Sequence, residues 1–67
     1  MDKVENQVYK YRKEKGVTQE ELAQFLGVSR QTVIAIEKGN YFPSICLALK
    51  LAYFFKKPVE KIFKLCQ

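Results

Sequence analysis

The segment Gln19–Lys38, reading QEELAQFLGVSRQTVIAIEK, limits what this chain can fold into more than any other stretch. It holds two short amphipathic helical patterns, and each carries its own start signal. Thr18 stands as the N-cap of the first, with Glu21 three residues on at the spacing of a capping box. Val17 and Leu22 flank that cap as a hydrophobic staple. Ser29 repeats the arrangement for the second helix, with Val28 and Val33 as the staple pair. Gly27 falls where the first helix must end, and glycine enters the left-handed conformation there without a Cβ penalty. Two helices joined by so short a glycine-containing turn form a helix-turn-helix.

The rest of the chain reads as helices around this pair. Residues 1–5 form a loose start from which Met1 and Val4 can dock onto the body. A helix is expected from Asn6 to Lys15, because Val4, Val8 and Tyr11 keep a spacing of three to four and Gly16 then stops it. Its other face carries Lys10, Lys13 and Lys15, a stripe suited to water or to a phosphate backbone. The second helix, 19–26, turns Leu22, Ala23 and Leu26 inward. The third, 30–38, turns Val33 and Ile36 inward, and Gly39 ends it. After the turn-rich loop Gly39–Pro43, Ser44 caps a fourth helix over 45–55, with Ile45, Ala48, Leu51, Ala52 and Phe55 as its buried stripe. Pro58 suits the first position of a last short helix, 58–64, with Val59, Ile62 and Phe63 as its apolar residues. Lys57 is a poor cap for that helix, so its entry is the expected weak point. No strand pattern, internal repeat or low-complexity run competes with this all-α reading.

Composition bounds the function. Sixty-seven residues allow one domain, 1–67, with a core small enough to gain from self-association. An apolar share of 48%, with 13% aromatics, argues against disorder. The net charge of +5 favours an anionic partner such as nucleic acid, although a solvated basic face would read the same way. No apolar run approaches the ~20 residues that span a bilayer, and the start MDKVENQVYK lacks a signal-peptide core. A cytoplasmic, nucleoid-associated protein with no membrane partner is therefore expected. Cys46 and Cys66 have neither zinc nor redox spacing and read as reduced thiols or small apolar fillers. With no histidine, no Gly-rich phosphate loop and no carboxylate cluster suited to a metal, neither an enzyme nor a cofactor, metal or small-molecule ligand is expected.

The window and its flanks, KGVTQEELAQFLGVSRQTVIAIEKGNYFPS, resemble the Xre/Cro-type regulators of bacteria, archaea and phages. The likeness continues through ALKLAYFFKKPVEKIF and so covers nearly the whole chain. It is closest to short single-domain members similar to the cytolysin-repressor type. The resemblance implies a compact five-helix, lambda-repressor-like DNA-binding domain with the helix-turn-helix at 19–38. It also implies a double-stranded DNA operator as partner.

Helix geometry then places the contacts. With Val33 and Ile36 inward, Arg30, Gln31 and Thr32 open the recognition helix on its exposed side, at positions that in such regulators meet base edges. Gln31 can pair with adenine N6/N7, and Arg30 either pairs with guanine O6/N7 or clamps a phosphate. Thr32 has a methyl for thymine and a hydroxyl for phosphate. The resemblance makes Gln19 a phosphate contact at a helix N-terminus, against the plainer reading of a solvated first-turn residue. Ser29 is a cap that can also touch phosphate. Lys38, Asn40 and Tyr41 are placed for the flanking backbone, although Asn40 also suits the turn alone. Arg12 and Glu37 align with a structural ion pair of the family. Ile34 departs from the family, which usually has a polar residue there; thymine methyls and a partner surface are both open to it.

One recognition helix makes few contacts, so a homodimer on a palindromic operator is expected, its recognition helices roughly 34 Å apart. The resemblance places dimer contacts near the last helix, where Tyr53, Phe54, Phe55, Phe63 and Leu65 supply apolar surface; Tyr53, Phe54, Phe63 and Leu65 are the named candidates. A repressor acting by promoter occlusion is the leading reading. An antitoxin-type autoregulator that also binds a toxin is the alternative, and a pure protein-interaction module is the third.

Overall fold

Side-chain caps start three of the five helices in the computed structural model, which describes residues 3–66. The order is β1 (Lys3–Asn6), α1 (Val8–Lys15), α2 (Gln19–Leu26), α3 (Arg30–Glu37), α4 (Ile45–Phe55), α5 (Val59–Ile62) and β2 (Phe63–Cys66). At α2 the capping box is closed on both sides. Thr18 Oγ1 accepts from the Glu21 amide at 3.0 Å, and Glu21 Oε1 accepts from the Thr18 amide at 2.8 Å. Ser29 Oγ accepts from the Thr32 amide at 3.2 Å to start α3, and Ser44 Oγ accepts from the Leu47 amide at 3.1 Å to start α4. Gly27 ends α2 at φ 76°, and its amide and that of Val28 both donate to the Ala23 carbonyl. That pairing satisfies carbonyls that a helix end otherwise leaves open.

The core is apolar and draws on every helix. Val8, Leu22, Ala23, Leu26, Val33, Ile36, Leu47, Leu51, Phe55 and Ile62 form one buried cluster, with Tyr11, Val28, Ala52, Phe54 and Phe63 packed on it from the rim. The stripe read for α4 is corrected at one end. Ile45 points to solvent at 74% exposure, and Leu47 is buried in its place. Ser44 caps the helix one residue ahead of Ile45, so the first turn overhangs the core and the inward face begins two residues later.

The larger correction is at the chain ends, where no strand was expected. β1 and β2 pair antiparallel, with Val4 opposite Leu65 and Asn6 opposite Phe63. Four residues each are too few to show a period of two against helical alternatives. The pairing joins segments about sixty residues apart and is invisible to any local reading. Two boundaries move with it. The first helix starts at Val8 and not at Asn6, since Asn6 belongs to β1 and its Oδ1 accepts from the Val8 amide at 3.1 Å. The last helix stops at Ile62, and Phe63 turns extended into β2. Pro58 is the residue before that helix and not its first member, and no side chain caps the helix. Met1 lies outside the described residues, as does the Cys66 side chain, whereas Cys46 is an exposed free thiol.

Candidate nucleic-acid interface

The surface around the N-terminus of α3 is set by a buried polar junction. Arg12 on α1 is 7% exposed, and its guanidinium meets Glu37 at the end of α3 through Nε to Oε2 at 2.5 Å and Nη2 to Oε1 at 3.3 Å. Its Nη1 donates to the Val17 carbonyl at 3.0 Å, just ahead of α2. Gln19, in the first turn of α2, completes the junction by donating from Nε2 to Glu37 Oε1 at 3.1 Å. One carboxylate thus ties three helices together. Two charges in such a place are tolerated because every buried side-chain donor and acceptor among the described residues has a partner.

Helix geometry divides α3 around that junction. At about 100° per residue, Val33 and Ile36 point to the core, so Gln31, Ile34, Ala35 and Lys38 form the opposite, outward ridge. Arg30 leans toward the α1–α2 side, where it lines a cleft of about 390 Å³ with Lys13, Thr18 and Gln19. Glu20 lines the same cleft, so its rim is mixed in sign. Thr32 leans the other way, half-buried, with Oγ1 3.1 Å from Ser29 Oγ. Gln31, Lys38, Asn40 and Tyr41 are exposed, Tyr41 at 44%. Arg30 and Gln31 thus stand side by side on the exposed start of the helix, and Thr32 stands behind the cap. The Gln19 side chain is half-buried and held by Glu37, which leaves its backbone amide as the donor at the head of α2. The sequence reading did not single out Ala35. Its signal was available, since it lies four residues after Gln31 on the same face.

The four residues named for self-association sit on two different surfaces. Tyr53, 77% exposed, and half-buried Phe54 both lie against Phe25 of α2, with ring centroids 6.4 and 4.7 Å apart. Phe63 and Leu65 lie two apart on β2 and so share one face of the strand with Val4 and Asn6. Phe63 lines an apolar groove of about 190 Å³ with Val4, Phe42, Pro43, Ala48 and Val59. Phe42 and Leu65 are exposed by 68% and 69%.

The arrangement of two capped helices, their glycine turn and a braced second helix decides the assignment, and comparison with known proteins agrees. The helix-turn-helix family model matches residues 8–62. This chain is an Xre-type helix-turn-helix transcriptional regulator. It is 55% identical over 60 residues to an HTH-type transcriptional regulator of Methanocaldococcus jannaschii, covering 90% of this chain and 91% of that one. Its fold is similar to that of the restriction-modification controller protein C.AhdI from Aeromonas hydrophila, with a TM-score of 0.74 and 31% identity over 82% of this chain and 83% of that one. The cryptic phage CTXphi transcriptional repressor RstR of Vibrio cholerae is 37% identical over 51 residues, 76% of this regulator and 46% of RstR. Among the described residues of the regulator no helix is long and apolar enough to cross a membrane, and no cluster of His, Cys, Asp or Glu could hold a metal ion.

Proposed function

We propose that this regulator is a homodimeric repressor that reads a palindromic operator through the major groove, with residues 1–67 working as one domain. The observation that carries this reading is the exposed start of α3, where Arg30 and Gln31 stand free beside the cleft formed by Lys13, Thr18 and Gln19. A duplex seated there meets base-reading side chains on the ridge and backbone donors on both flanks. Gln31 takes the adenine-reading role and Arg30 the guanine-reading one, while Thr32 meets an adjacent base or phosphate from behind the Ser29 cap. The Gln19 amide, Ser29, Lys38, Asn40 and Tyr41 hold the phosphates, and Lys13 joins them from α1. Arg12 and Glu37 keep α3 at its angle and touch no DNA.

Dimerisation is assigned to the groove lined by Phe63, with Leu65 on the same strand face, in preference to the Tyr53–Phe54 surface. Exposed Phe42 and Leu65, with half-buried Val59 and Phe63 beside them, put apolar surface on the last elements and on the loop that follows the recognition helix. Repression would follow by occlusion of a promoter; the similar RstR is named a transcriptional repressor.

The test is a selection of bound duplexes from a random pool, followed by titration of the selected site and of random DNA. Gln31→Ala should lose about 1–3 kcal/mol on the selected site and relax one base position. Lys38→Ala should weaken both duplexes alike and flatten the salt dependence. An unchanged ratio for Gln31→Ala would remove it as a base reader. Phe63→Asp should sediment as a monomer and bind the selected site more weakly, and unchanged sedimentation would reject the groove as the interface.

A further inference from the structure

The outward ridge of α3 carries more hydrocarbon than a polar, solvent-facing surface requires. Among the described residues, the half-buried apolar side chains that pack on the core are Tyr11, Val28, Ala52, Phe54 and Phe63. Ile34 and Ala35 are also half-buried but stand outside that set. They follow Gln31 by three and four residues, so all three share one face, with Lys38 a full turn beyond. Ile34 is a branched alkyl group with no donor or acceptor, placed between a base-reading amide and a lysine, and it is not among the side chains that pack on the core.

In the major groove only thymine presents an alkyl group, its C5 methyl; the hydrogen-bonding groups on base edges are donors and acceptors. An alkyl side chain pressed against N7, O6 or N4 would strip water from a polar group and return no hydrogen bond. Against a methyl it removes apolar surface from water on both sides. We infer that Ile34 is a specificity-determining residue of this regulator, which selects a thymine methyl in each half-site next to the base pair read by Gln31. The inference rests on the DNA-reading role proposed for α3. It adds a preference for the methyl itself and a penalty on G·C at that step. Ala35 stands on the other side of the ridge and its single methyl reaches less far, so it is the natural control.

The experiment uses the whole chain and a duplex selected by it from a random pool, resynthesised with deoxyuridine in place of thymine at one position at a time. That exchange deletes the methyl and leaves the pairing edge intact. One thymine per half-site should show a loss of about fourfold on the exchange, the size expected for one buried methyl. Ile34→Val should keep most of that sensitivity, and Ile34→Ala should bind the thymine and deoxyuridine duplexes alike. Methyl sensitivity that survives Ile34→Ala, or that vanishes in Ala35→Gly instead, overturns the assignment. A selected duplex that binds tightly with no methyl-sensitive position also overturns it and leaves the operator reading standing. Failure to enrich any duplex removes the operator reading, and this inference with it.

Discussion

Two regions of this molecule are held in opposite ways. Between Thr18 and Lys38 the chain is held by bonds that span three to five residues: the Thr18–Glu21 box, the Ser29 cap and the Gly27 turn. The ends, 3–7 and 58–66, have no side chain capping α5 and are held by each other. β1 pairs with β2, and the Gln7 amide donates to the Ile62 carbonyl at 2.8 Å across the whole length of the chain. A local bond forms as soon as its own turn forms, whereas an end-to-end bond requires closure of the largest loop available. The recognition unit should therefore keep its shape under changes that loosen the ends. The two regions meet at α3, where Arg12 and Gln19 hold Glu37, and Asn6 Nδ2 donates to the Ile36 carbonyl at 2.8 Å. Local bonds shape the recognition helix, and long-range bonds aim it.

The largest effect should come from the junction. Glu37→Ala leaves the Arg12 guanidinium buried without its carboxylate and should cost about 3–5 kcal/mol by urea unfolding, close to the whole stability of so small a domain. Arg12→Met with Glu37→Leu should lose much less, because no charge is stranded. Equal losses would mean that packing, not the charge, matters there. Asn6→Ala comes next. It removes both the bond to Ile36 and the one to the Val8 amide, and should cost about 1–3 kcal/mol. Amide exchange should then quicken across β1, β2 and the first turn of α1, while α2 keeps its protection.

Thr18→Ala is the mirror image of that change. Loss of the cap should cost about 1 kcal/mol, with faster exchange confined to the first turn of α2. Spread of that change into the strands would break the distinction between the regions. The smallest effect has the opposite sign. Lys56 ends α4 in the left-handed conformation at φ 56°, where α1 and α2 use glycine. Lys56→Gly should stabilise by about 0.5–1 kcal/mol, read as a higher urea midpoint, since relief of the Cβ clash outweighs the added freedom of the unfolded chain.

The sequence by itself determined the recognition unit of this protein. Thr18, Glu21, Gly27, Ser29 and Ser44 act on backbone groups within a few residues of themselves, and the elements they bound begin where those residues placed them. Helical period alone gave most of the core, including Leu22, Ala23, Leu26, Val33, Ile36 and Leu51. It failed at Ile45, because a period gives the face of a helix and not the point where the helix meets the core. The outward ridge of α3 was legible for the same reason that its buried side was.

The tertiary structure alone decided three things. It paired the ends as strands, through backbone bonds to which side-chain pattern contributes little over four residues. It placed Tyr53 and Phe54 against Phe25 while Phe63 turned to Phe42 and Val59, a separation set by how α4 and β2 pack and not by their spacing in the chain. It also closed Gln19 onto the Arg12–Glu37 pair, joining residues 18 and 25 positions apart that no local rule relates. Bonds within one turn are written in the order of the residues, and bonds between elements exist only once the core has brought those elements together.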